Sequence, residues 1–365
     1  MKANRPFRIT FLLITVLMLC ACQAQPNAVA AGKNLPVAAQ PLADCPLKSI
    51  KIGYIPVGAL APIFVAYEKG YFAEQGLEVT LESFRTGGEM IAPLSLGQLD
   101  VGSGEPGTAL FNAIAQGLDV RVTLPNGLLA EGHNYATVAI RKALIDDGTV
   151  AAVADLKGMR LAVNNLRGMT EYYANEYLGS GGLTIDDVEL VVLPFPEMLQ
   201  ALENGAVDAA YLQHPLAAAA LNPGPNGEPP VAVELFSFTE VIESQQMGVM
   251  FYGKNLLKAE NEEAANRVTV ALIKALRDLQ GDAWQSDAAV VAAISKYTGQ
   301  SKDVIRQSII SYFEPNGVLD GTSLLDMQSY YLERGYTEYS TPLPLEDIIV
   351  TDFQEEAIER LGRFE

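Results

Sequence analysis

The stretch Ile50–Gly107 repeats one pattern, and few folds can accommodate it. Ile50-Lys51-Ile52-Gly53-Tyr54 alternates as a short strand. Pro62 then stands where a first helical turn tolerates a missing N–H, followed by the apolar run Ile63 to Tyr67. Gly70 and Gly76 close the unit as residues able to turn left-handed without strain. Val79 and Leu81 restore a period of two, and Arg85-Thr86-Gly87-Gly88 turns into a helix around Met90, Ile91 and Leu94. After Gly97, Gln98 to Val101 leads into Gly102-Ser103-Gly104-Glu105-Pro106-Gly107. Three strands thus end in small or polar loops that open helices. A parallel α/β sheet gathers such loops at the carboxyl ends of its strands, where ligands bind and helix N-termini present free N–H groups.

The remainder of the chain repeats the plan. Ala109–Ala115 reads as a helix, and Val120–Leu124 as a strand ending at Pro125-Asn126-Gly127. Tyr135–Ile140 alternates and crosses into a second domain. There Met159–Val163 is a strand, Asn164 to Gly168 a polar loop and Met169–Leu178 a helix. Glu189–Leu193 is a strand, Glu197–Asn204 a helix, and Val207–Leu212 a strand opening into Gln213-His214-Pro215. Leu96-Gly97-Gln98-Leu99-Asp100-Val101 parallels Asn204-Gly205-Ala206-Val207-Asp208-Ala209, which predicts two similar lobes. Met247–Tyr252 reads as a return strand. Beyond it Glu262–Leu279 carries a 3.6-residue apolar period, and shorter helices are expected at 287–297, 302–312, 323–333 and 352–361.

Residues 1–21 stand apart. Lys2, Arg5 and Arg8 precede the apolar run Ile9 to Ala21, too short to span a bilayer and suited to a secretory leader. Leu19-Cys20-Ala21-Cys22 resembles the bacterial lipoprotein processing box. That resemblance implies cleavage before Cys22 and a diacylglyceryl thioether on its sulfur, enough acyl chain for stable anchoring. Residues 22–47 read as a tether. The chain carries a net charge of −19, and loss of the leader leaves 22 basic against 44 acidic residues, a charge of −22. A nucleic-acid partner is excluded on that balance, because phosphate neutralisation needs a basic surface.

Pro62-Ile63-Phe64-Val65-Ala66-Tyr67-Glu68-Lys69-Gly70-Tyr71-Phe72, with Gly76-Leu77-Glu78-Val79, resembles the opening of solute-binding proteins of ABC importers. The branch is that for nitrate, sulfonate, taurine and thiamine-pyrimidine precursors. Glu197-Met198 with Gly205, Val207, Asp208, Ala209 and Ala210 extends the match, as do Asp326-Met327-Gln328 and Gly335-Tyr336. The resemblance implies an α/β fold of the two-lobed periplasmic-binding-protein type II, with hinged lobes and a helical C-terminal extension. Lobe one would comprise 48–138 and 248–365, and lobe two 139–247. It further implies an extracytoplasmic monomer, anchored to the cell membrane through Cys22, that hands a small molecule to ABC permease and ATPase subunits.

The candidate ligand contacts lie in the strand-end loops. Tyr54 ends the first strand, where pyrimidine-binding relatives place an aromatic residue; Leu60-Ala61 stands where those relatives carry a histidine. Tyr172, Phe195 and Tyr211, with Tyr135, fall beside other loops and suit a flat ring through stacking. Glu105, Asn126, Asn164, Asn165 and Gln213 supply hydrogen-bonding groups, whose alternative work is capping helices and closing turns. Pro62, Gly87, Gly88, Ser103, Thr170 and His214 complete the candidate set. Uncharged ligands follow from this content: riboflavin first, since importers of this family include flavin-binding members, then a thiamine-pyrimidine precursor. The competing anion reading rests on Arg85 and Arg167, in loops of opposite lobes. Catalysis, a metal and a resident cofactor are not expected. With only His133 and His214, the chemistry of the related pyrimidine synthases lacks its residues.

Overall fold

A computed structural model describes residues 45–224, 226–242 and 244–365. The leader, Cys22 and nearly all of the tether lie outside the described residues. Among the described residues ten strands form two five-stranded sheets. The first contains β1 (Ser49–Tyr54), β2 (Glu78–Ser83), β3 (Val101–Gly104), β4 (Val120–Leu129) and β10 (Gln245–Gly253), in the order β2-β1-β3-β10-β4. The second contains β5 (Ala136–Arg141), β6 (Arg160–Val163), β7 (Glu189–Val192), β8 (Ala209–Gln213) and β9 (Ala232–Val233), in the order β7-β6-β8-β5-β9. In each, three parallel strands are followed by one antiparallel strand. The chain passes between sheets twice, from β4 to β5 and from β9 to β10.

The paired glycine–aspartate segments build the same device in both sheets. Gly97 and Gly205 turn left-handed at φ 71° and 73°, which a side chain would strain. Asp100 Oδ2 then accepts the Lys51 N–H of β1 at 2.9 Å, and Asp208 Oδ2 accepts the Arg160 N–H of β6 at 3.1 Å. Each aspartate thus ties the start of the third parallel strand of its sheet to the first. The expected two-lobed α/β architecture is present.

In lobe one, α1 (Ala61–Glu68), α2 (Tyr71–Glu74), α3 (Gly88–Ser95) and α4 (Thr108–Ala115) connect the strands. In lobe two, α5 (Lys142–Asp146), α6 (Met169–Gly179), α7 (Phe195–Glu203) and α8 (Leu216–Leu221) do so. After β10 come α9 (Glu262–Asp278), α10 (Ala288–Thr298), α11 (Lys302–Gln307), α12 (Gly321–Glu333), α13 (Leu345–Ile348) and α14 (Asp352–Leu361). Most of α1 is buried because α9 and α10 cover it, which explains its all-round apolar sequence. Helix α12 touches both lobes. Its Tyr331 hydroxyl donates to the Pro106 carbonyl, and its Tyr330 hydroxyl donates to Glu171 of α6.

Three local expectations are corrected. The strand expected to end at Leu124 continues through Pro125, Asn126 and Gly127, its pairing with β10 shifting register around them. Proline is accommodated where the ladder is irregular. The helix expected over 302–312 stops at Gln307, because Leu128 and Tyr312 exchange backbone hydrogen bonds at 2.8 and 3.0 Å. Helix α7 starts two residues early, which puts Phe195 in its first turn.

Candidate ligand-binding site

The strand ends of both sheets face each other across the interlobe cleft. Helices α3, α4 and α6 begin there, around a cavity of ≈170 Å³ lined by Thr86, Gly87, Gly88, Glu105, Thr108, Asn165 and Arg167 among others. Two side-chain bonds cross between the lobes at this cavity. Asn165 Nδ2 donates to Glu105 Oε1 at 2.6 Å, and the Thr108 hydroxyl donates to the Arg167 carbonyl at 2.8 Å. Thr170, in the first turn of α6, donates to Asn165 Oδ1 at 2.9 Å and so aims that amide at Glu105. Burial raises the Glu105 pKa, while the N–H groups of Glu105 and Gly87 and the Asn165 amide pull the other way.

Glu105 also lines an inner space of ≈20 Å³, with Ile55, Gly104, Tyr135, Thr170, Phe195, Gln213 and Gly248 among its other walls. That volume holds about one water molecule. Gln213 Oε1, both amide atoms of Asn126 and the hydroxyls of Tyr135 and Tyr211 are buried here or nearby without a protein partner. An unsatisfied buried polar group costs about 1–3 kcal/mol, so these atoms gain from any solute that bonds them. Towards solvent, Phe195 and Ile55 form a shared wall with a ≈330 Å³ hollow lined by Pro56, Phe84, Arg85, Pro194 and Pro196.

The sequence-predicted residues divide by position. Gly87, Gly88, Glu105, Asn165, Thr170, Phe195 and Gln213 line these cavities. Tyr54 instead packs edge-on against Phe64 and Tyr297, at 5.3 and 5.6 Å between centroids. Tyr211 lies parallel to Tyr173 at 6.2 Å with Phe238 on its edge, and Tyr172 packs against Tyr173 and Tyr330. Their ring surfaces are therefore engaged by protein. Ser103 is buried and donates to the Gly53 carbonyl at 2.8 Å, Pro62 is buried in α1, and Asn164 is buried just after β6. His214 accepts the Ile309 N–H on Nδ1 at 3.3 Å, and burial lowers its pKa to about 4. Arg85 is exposed and paired with Glu89 at 3.0 Å. Arg167 lies over the Tyr336 ring at 5.4 Å, so the two arginines form no common grip.

Sequence reasoning missed Thr108, Met247 and Gly248. The last two sit inside β10, which carries no loop signal, and reach the cleft because that strand returns directly from lobe two. Among the described residues no group of His, Cys, Asp or Glu is arranged to hold a metal, and no helix is long and apolar enough to cross a membrane.

Residues 43–294 match the model of the NMT1-like family, which covers both sheets and the start of the helical extension. The chain belongs to the NMT1-like family. Its curated relatives include the nitrate import ATP-binding protein NrtC of Synechococcus elongatus, 26% identical over 306 residues, 81% of this chain and 44% of that protein. The bicarbonate-binding protein CmpA of the same organism is 26% identical over 182 residues, 45% of this chain and 40% of that protein. The NMT1-like chain thus spans under half the length of these two relatives. Among solved structures, the periplasmic nitrate-binding protein NrtA of Synechocystis superposes with a TM-score of 0.71 at 16% identity, covering 88% of this chain and 90% of that one. The alkanesulfonate-binding protein SsuA of Xanthomonas axonopodis, bound to MOPS, gives 0.63 at 18% identity, covering 86% and 100%. At these identities the superpositions establish the two-lobed fold.

Proposed function

We propose that this NMT1-like protein is a binder and not an enzyme: the solute-binding component of an ABC importer, presented outside the cytoplasm by the lipid on Cys22. Its cleft captures a small uncharged nitrogen heterocycle, of the riboflavin or thiamine-pyrimidine type, and a permease reads the form closed on it. The observation that carries this reading is the inner wall. It offers a carboxyl group, a glutamine, the Tyr135 hydroxyl and the Phe195 ring, and no lysine or arginine lines it. A flat heterocycle with N–H and ring-nitrogen edges satisfies those groups while burying its faces. A single pyrimidine ring matches the ≈170 Å³ cavity with the lobes as they stand. A flavin needs them further apart, or needs the ≈330 Å³ hollow beyond Phe195. Solute that prefers the closed form drives closure by that difference in affinity.

A second reading, an oxyanion such as nitrate or a sulfonate, is favoured by three helix N-termini meeting at one cavity and by the names of the relatives. One titration series separates the two. Riboflavin fluorescence is followed on addition of protein, and 4-amino-2-methylpyrimidine, nitrate and taurine are compared by thermal shift. Saturable flavin quenching or a pyrimidine-dependent rise in Tm supports the uncharged heterocycle. A rise with nitrate or taurine alone supports the oxyanion.

A further inference from the structure

We propose that Glu105 is the charge selector of the cleft: its carboxyl group occupies the space between the N-termini of α3, α4 and α6 that an oxyanion would need, so the site accepts solutes presenting N–H donors. The proposal rests on the binder reading above and names the solute class within it.

Three observations carry it. Glu105 stands in the loop joining β3 to α4, is 8% exposed, and lines both the ≈170 Å³ cavity and the inner space. The close packing leaves its carboxyl little freedom to swing away. A methyl group on Gly87 would lie 3.3 Å from Glu105 Oε2, and one on Gly104 would lie 2.9 Å from the Gly87 Cα. Finally, Gln213, 4% exposed, shares the inner wall with Glu105, and its Oε1 has no protein partner. A carboxyl oxygen and an amide oxygen both accept, so together they ask for a solute that donates. An amino-substituted heterocycle donates N–H to each; a nitrate or sulfonate brings only acceptors and adds negative charge beside a carboxyl group. The helix N-termini, which would otherwise favour an anion, are served from within the chain.

The test compares wild type, Glu105→Gln and Glu105→Asp by isothermal titration and thermal shift, with 4-amino-2-methylpyrimidine, sodium nitrate and taurine as probes. Expected for wild type and E105D is a pyrimidine-dependent shift with none from nitrate or taurine. E105Q, equal in shape and uncharged, should bind the pyrimidine at least tenfold more weakly and gain a response to nitrate or taurine. An E105Q protein with unchanged pyrimidine affinity and no oxyanion response overturns the selector. So does oxyanion binding by wild type, a result available even if E105Q does not fold. If wild type binds no pyrimidine yet E105Q gains nitrate or taurine binding, the selector stands and the heterocycle reading falls. If neither protein responds to any of the three probes, the selector falls as well.

Discussion

Gly58 of lobe one faces the carbonyl oxygen of His214 in lobe two so closely that a methyl group on Gly58 would stand 2.7 Å from it. A real Cβ does not approach a backbone oxygen that far, and His214 is held by its own N–H donating to the Tyr135 carbonyl at 2.7 Å. Gly58→Ala should therefore hold the lobes apart while leaving each intact. Solute affinity is expected to fall tenfold or more, with the unfolding midpoint of the unliganded protein little changed. Titration paired with small-angle scattering checks this, and equal affinity in the variant would show that the lobes do not need this contact.

Phe195 and Tyr54 should respond differently to truncation. Phe195 borders both the inner space and the outer hollow, whereas Tyr54 is engaged by Phe64 and Tyr297. An aromatic contact contributes about 0.5–1.5 kcal/mol beyond its area, so Phe195→Ala should weaken a heteroaromatic solute by roughly tenfold. Tyr54→Ala should change that affinity by about twofold at most. The reverse order, measured by the same titration, would return the stacking role to Tyr54.

His214 makes stability depend on pH. Its imidazole is kept neutral by burial, with a pKa lowered to about 4 against roughly 6.5 when unfolded. Between those values the unfolded chain binds a proton that the folded chain does not. Stability is thus fully present above pH ~6.5 and declines as the pH falls towards 4, by about 3 kcal/mol from this group. Urea unfolding of wild type and His214→Gln at pH 7.5, 6 and 5 should show a shallower fall in the variant. Parallel curves would mean that His214 takes up its proton in the folded state.

Asp208 and Asp100 occupy equivalent places but should not tolerate the same change equally. Burial favours the neutral form of Asp208, yet hydrogen bonds from Arg160 and Arg141 hold its carboxyl below the usual range. Asp208→Asn leaves two guanidinium groups short of a counter-charge and should cost about 2 kcal/mol. Asp100 faces the Lys51 N–H and the Asn255 amide, so Asp100→Asn should cost about 1 kcal/mol. Denaturant midpoints of the two variants rank them directly.

The cleft was partly legible in the sequence because loops that follow strands in a parallel sheet must converge. Glycines and polar residues at those points therefore marked Gly87, Gly88, Glu105, Asn165 and Gln213 as candidates, and all five line the cavities. The tyrosines were less legible. Whether a ring faces solvent, ligand or another ring depends on partners far along the chain. Tyr297, 243 positions beyond Tyr54, packs on its edge, and Phe238 does the same for Tyr211. Asn126 was expected in a loop and lies in a strand, because β10 supplies hydrogen-bond partners that nothing near Pro125 announces.

By itself the sequence determined the α/β class, the duplication of the lobes and the order of the main elements. Alternation, helical period and left-turning glycines act over a few residues and leave their mark there. Tertiary structure alone decided that Asn165 meets Glu105, that Gly58 abuts His214, and that α12 lies across both lobes. Those contacts join segments tens to hundreds of residues apart, and which ones form is set by how two sheets and their helices pack, a property that no local window of the chain contains.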